Sequence, residues 1–117
     1  MSTEREQLEL AAKACWIEID HWRGDMPMVN ICEHDASEYQ AWNPLHDDGD
    51  CARMEAALGI ELTWFFDRVD ALACDVATVV EYFKDHAGDK NAARRAASLA
   101  VATEIGRALR AALGEKP

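Results

Sequence analysis

Apolar residues at Leu8, Ala11, Ala12 and Cys15 recur at i, i+3, i+4 and i+7 and give residues 4–14 a single stripe, which predicts an amphipathic helix. Thr3 and Glu6 have the S/T-x-x-E spacing of a capping box at its start. The period then changes to two. In residues 16–22, Trp-Ile-Glu-Ile-Asp-His-Trp, Ile17 and Ile19 share one face and Glu18 and Asp20 the other, which predicts a half-buried strand. Arg23-Gly24-Asp25 is a turn, and residues 27–33 return as a second strand with Val29 and Ile31 inward. Glu33 to Gln40 is polar and reads as loop. Cys51, Met54, Ala57 and Leu58 form the stripe of a short helix that Gly59 ends. Ile60, Leu62, Trp64 and Phe66 then alternate on one strand face, and Asp67-Arg68 turns the chain. The stretches 69–74 and 76–83 also fit a helical period. The β-branched Val76, Thr78, Val79 and Val80, with Tyr82 and Phe83, favour strands. Asp89 caps an alanine-rich helix over 90–113, with Leu99, Val101, Ala102, Ile105, Leu109 and Leu113 on one arc, and Gly114 stops it. Gly106 on that helix marks a close approach to a neighbour. The expectation is one α+β domain over 1–117, ordered α-β-β-α-β-β-β-α, with the helices on one face of an antiparallel sheet.

The chain has 117 residues, half of them hydrophobic, enough to bury a core without metals or disulfides. Its net charge of −10 argues against direct nucleic-acid binding, which needs lysine and arginine to neutralise phosphates. There is no apolar run long enough for a membrane span, and the charged start, Met-Ser-Thr-Glu-Arg-Glu, is unlike a signal peptide. The expected location is the cytoplasm, where Cys15, Cys32, Cys51 and Cys74 stay reduced. No spacing of these with His21, His34, His46 or His86 matches a zinc site, and no metal or other cofactor is expected. Charge is unevenly spread. Glu33, Asp35, Glu38, Asp47, Asp48 and Asp50 lie in a stretch without lysine or arginine, and they define an acidic surface for a basic partner. Acidic loops also simply keep a small domain soluble.

The most closely specified stretch is Trp42-Asn43-Pro44-Leu45-His46-Asp47-Asp48-Gly49-Asp50. Pro44 keeps Asn43 extended, Asp47 or Asp48 can cap the next helix, and Asp50 suits the helix dipole. The acids beside His46 could ligate a divalent cation, but they lack the loop pattern that specifies calcium. On the closing helix, Arg94 and Arg95 fall on the arc that is apolar further along, so they must be paired or line a cleft. Either they tie that helix to Asp47, Asp48 or Asp50, or they form with Asn91 and Asn43 an anion site at a helix start, with Trp42 to stack on a base. No G-x-S-x-G, P-loop, G-x-G-x-x-G or H-E-x-x-H motif occurs, and no catalytic residue is assigned.

Trp42 to Arg53 resembles the W-N-P-L-x-D-D-G-D-A-L-R-L signature of an uncharacterised family of small phage and prophage proteins, with Cys51 and Met54 in place of alanine and leucine. Asn91-Ala92-Ala93-Arg94-Arg95-Ala96, Ala102-Thr103-Glu104-Ile105-Gly106-Arg107 and Leu8-Glu9-Leu10-Ala11-Ala12-Lys13-Ala14 are similar to other segments of that family. The resemblance implies a phage accessory protein in a bacterial cytoplasm, and no activity. The expected function is non-enzymatic: protein–protein interaction that blocks a host defence or regulatory factor, the host protein being basic, with a homodimer as a further expectation. The alternative is a binder of a nucleotide or other small anion through Arg94, Arg95 and Trp42. A third reading is a metal-dependent enzyme built on the acidic turn.

Overall fold

A computed structural model describes residues 3–30, 38–73 and 76–114. The first helix, α1 (Glu4–Ala14), starts where the capping pattern places it, with the Thr3 hydroxyl accepting from the Glu6 N–H at 3.1 Å. It buries Leu8, Leu10, Ala11, Ala12 and Ala14. Three antiparallel strands follow in the order β1 (Ile19–Arg23), β2 (Met26–Asn30), β3 (Tyr39–Ala41). Helix α2 (Asp48–Leu58) is capped by Asp47 and ended by Gly59, whose φ of 65° is the left-handed conformation that glycine adopts freely. A second antiparallel sheet holds β4 (Glu61–Trp64), β5 (Arg68–Ala73) and β6 (Ala77–Tyr82), with β5 in the middle. After a short 3-10 turn at Phe83–His86, α3 (Lys90–Ala112) begins under the cap of Asp89.

The α+β architecture agrees with the apolar patterning, and the uncertain stretches before and after residue 75 are strands. Three details differ from expectation. First, Tyr39–Ala41 pairs with Met28–Asn30 within what reads as loop; three residues, one polar, are too few to show a period. Second, the strands divide between two three-stranded sheets instead of forming one. Third, Phe66 does not share the inner face with Ile60, Leu62 and Trp64; Trp64 pairs with Val69 and its ring lies 6.2 Å from that of Phe83, though half of it is exposed. The strand ends at Trp64, the Phe65 N–H bonds the Arg68 carbonyl, and Phe66 falls in that turn, 92% exposed. Ile31 and residues 31–33 of the second strand's expected span lie outside the described residues.

Helix α3 unites the halves. Leu99 and Ala102 join a first core with Leu8, Ala11, Ala12, Trp42, Cys51 and Met54. Ala93, Ala97 and Val101 join a second with Val69, Ala71, Ala73 and Phe83. The small residues let α1 lie close. A Cβ on Gly106 would stand 1.9 Å from the Leu10 carbonyl oxygen, so the approach that the sequence marks there is real and admits no side chain. Among the described residues, no helix is long and apolar enough to cross a membrane.

Candidate functional site

The turn before α2 is held from both sides. Asp50, almost wholly buried, accepts from the Asn43 N–H at 3.0 Å through one oxygen and from Arg53 at 2.6 Å through the other. Asp47 caps α2 through the Gly49 N–H at 2.8 Å. From α3, Arg95 donates to the Leu45 carbonyl at 2.8 Å and to Asp48 at 2.6 Å. Arg94 does not reach these acids. It makes a two-pronged pair with Glu55 on α2, the Nε bond measuring 3.0 Å. Ser98 donates to Glu55 at 2.6 Å, and the Cys51 thiol lies 3.6 Å from it. Burial alone would raise the Glu55 carboxyl; the bonds from Arg94 and Ser98 outweigh it and hold the group below the ordinary carboxylate range. The bond to Glu55 in turn holds the Arg94 guanidinium above its usual value, against the effect of burial.

The structure therefore brings Arg94 and Arg95 against α2 and the turn that precedes it, and both guanidiniums have carboxylate partners. Glu55 has no signal in the local sequence pattern; only the packing of α3 on α2 pairs it with Arg94. Trp42 is packed in the first core, with its backbone N–H bonded to the Pro27 carbonyl at 3.0 Å. Asn91 is exposed in the first turn of α3, where its N–H serves the Asp89 cap. Of the acidic residues, Glu38 is exposed, Asp47 caps, and Asp48 and Asp50 are paired. Glu33 and Asp35 lie outside the described residues. Among the described residues, no group of three or more His, Cys, Asp or Glu could hold a metal ion.

The cysteines in the first core are poorly suited to nucleophilic work. Burial pushes the Cys15 thiol up to about 11, and burial with the neighbouring Glu55 charge pushes Cys51 up to about 12. Both stay protonated at neutral pH.

A second locus lies at the end of α1, where the sequence pattern places the start of a strand. The Trp16 N–H bonds the Lys13 carbonyl at 3.1 Å and the Ile17 N–H bonds the Ala12 carbonyl at 2.9 Å. This is a Schellman ending, and its left-handed position falls on Trp16, with φ of 57°. Glycine is the usual occupant, because a Cβ crowds the following carbonyl there. The side chain does not repay that strain by packing, since Trp16 is 77% exposed. It stands over a groove of about 460 Å³ whose walls include Ala12, Ile17 and Ile19, with the exposed Glu9 and Glu18 and the half-buried Lys13 at its borders. The signal in the sequence was a helix stripe ending at Cys15 with tryptophan where glycine would stop it.

No family model, no curated protein and no solved structure matches this chain.

Proposed function

We propose that the protein is a non-enzymatic interaction protein whose groove at the end of α1 takes a lysine or arginine side chain of a partner. The observation that carries this reading is Trp16. A large aromatic residue is held in a costly backbone conformation and presented to solvent, and strain retained without packing benefit points to a contact outside the chain. The groove chemistry supports a basic partner. Ile17 and Ile19 suit an aliphatic stem, the indole face attracts a cation, and Glu18 adds negative charge, as does Glu9 in so far as its exposed pair with Arg5 at 3.5 Å leaves it. The net charge of −10 steers a basic protein toward this chain. With the resemblance to phage accessory proteins, the partner is a bacterial host protein, a defence or regulatory factor, met in the host cytoplasm.

The test is capture from host lysate with three baits: the native chain, Trp16→Gly, and the double variant Glu9→Lys/Glu18→Lys. A protein that the native chain retains, and that both variants and added salt release, supports the reading. Retention by all three baits, or nothing retained by the native one, refutes it.

A cavity of about 480 Å³ beside Trp42 favours a second reading, a small-ligand binder. Cys15, Ile17, Val29 and Met54 line it, with Arg53 as the lining cation in place of Arg94 and Arg95. Thermal shift against nucleotides and aromatic carboxylates tests it; no stabilisation by any of them removes it.

A further inference from the structure

We propose that a second copy of this chain packs on the outer face of the second sheet. The pairing register sorts the side chains of that sheet. Leu62 on β4, Val69, Ala71 and Ala73 on β5, and Val79 on β6 face α3 and the second core. The alternate positions face away, and among the described residues no helix or strand covers them. Leu72, Val80 and Tyr82 are 37–40% exposed there. Phe65 and Val76 continue the same alternation at the strand ends and are 40% and 45% exposed. Scattered apolar residues on a surface need no explanation, but five gathered on one sheet face mark a contact surface.

Charge identifies the occupant. The middle strand puts Arg68 and Asp70 side by side on this face. Arg68 lies over the Phe65 ring at 4.2 Å and bonds Asp67 at 2.9 Å. Asp70 Oδ1 is buried and has no hydrogen-bond partner among the described residues, and the Arg68 Nε of the same chain stands 3.7 Å from that oxygen, an ion pair too long to be a hydrogen bond. A strongly basic or strongly acidic partner would leave one of these charges opposed by its own sign. A second copy meets each with its opposite, because a two-fold interface pairs residue i with j and j with i. An axis between the two sheets, running across the strands at Val69, sets Arg68 of each copy over Asp70 of the other. Since Tyr82 pairs with Arg68 and Val80 with Asp70 in the sheet register, the same axis sets Tyr82 over Val80 in both directions. At the centre of this face Arg68 offsets Asp70, while Asp67, bonded to Arg68, and Glu61, opposite Leu72 in the register, lie toward its margins, so the centre is where two copies of this acidic chain can meet. The surface is separate from the Trp16 groove, and neither proposal depends on the other.

Sedimentation equilibrium of the full chain tests this. The native protein is expected to be a dimer. Asp70→Arg and Arg68→Asp each place like charges in opposition and are expected to sediment as monomers, whereas the double variant Arg68→Asp/Asp70→Arg restores the dimer. Val80→Lys, a charge on an exposed edge-strand position, is expected to be monomeric as well. Circular dichroism melts confirm that each variant folds; a reversal variant that does not fold is replaced by Asp70→Asn and Arg68→Gln, which are expected to weaken the dimer. A native chain that is monomeric at every concentration overturns the proposal. So does a dimer that persists through both reversals, the result that edge-to-edge pairing of β6 would give.

Discussion

Position 16 offers a direct measure of backbone strain. At an ordinary backbone position, alanine is more stable than glycine by roughly 0.5–1 kcal/mol, because glycine loses more freedom on folding. At a left-handed position the order inverts, since the conformation costs an L-residue about 1–2 kcal/mol that glycine does not pay. Trp16→Gly should therefore be more stable than Trp16→Ala by about 1 kcal/mol, which for a domain of this size is a difference of roughly 3–5 °C in Tm. Relative to the native chain, the glycine variant gives up the quarter of the side chain that is buried, about 1 kcal/mol at most, and recovers a similar amount of strain. Its stability should lie within about 1 kcal/mol of native. A core tryptophan behaves differently: Trp42→Ala should cost about 3–5 kcal/mol. Thermal and urea unfolding of the three position-16 proteins decide the matter. An alanine variant as stable as the glycine variant, or more so, would show that Trp16 is not in the left-handed conformation, and the argument for an outside contact would lose its basis.

Gly106→Ala should destabilise the protein by about 3 kcal/mol or more in urea unfolding, because the added methyl meets the Leu10 backbone and not a movable side chain. Glu55→Gln should cost about 3 kcal/mol, as it leaves the Arg94 charge without its carboxylate; a double-mutant cycle with Arg94→Met measures the coupling. Because the folded Glu55 carboxyl titrates below its unfolded value of about 4.5, its contribution to stability is fully present above that pH and is lost as pH falls through the folded value. Native and Glu55→Gln stabilities should thus converge on acidification below pH 4.5 and stay apart at pH 7. Cys51 should resist alkylation at neutral pH while the chain is folded and react on unfolding, as read by mass spectrometry.

Much of the layout was legible because local chemistry agrees with the final packing. Thr3, Asp47 and Asp89 cap the three helices, and Gly59 ends one of them. Capping is a contact among neighbours in the chain, so the sequence pattern displays it. The β-branched run at 76–80 correctly outweighed a competing helical period. What was not legible depends on contacts between distant residues. Nothing local tells that Glu55 will receive Arg94, 39 residues away, or that Arg95 will take Asp48 and the Leu45 carbonyl. The join between α3 and the mid-chain turn is legible from the arc on which the two arginines fall, but only Arg95 makes it; Arg94 goes to Glu55. The missed strand β3 is three residues long and exists because Met28 to Asn30 offer it a partner. The role of Trp16 is hidden because a tryptophan before alternating isoleucines has the pattern of a strand, whereas its backbone completes a helix ending.

That α3 supplies a wall to both cores bears on how the protein is made. On the ribosome, the earlier helices and both sheets emerge with one side of their apolar surface still bare. Each half must wait for the same late-arriving segment, so neither can mature alone. Nascent chains of this protein should accordingly stay protease-sensitive until α3 has left the exit tunnel, and then gain protection in a single step.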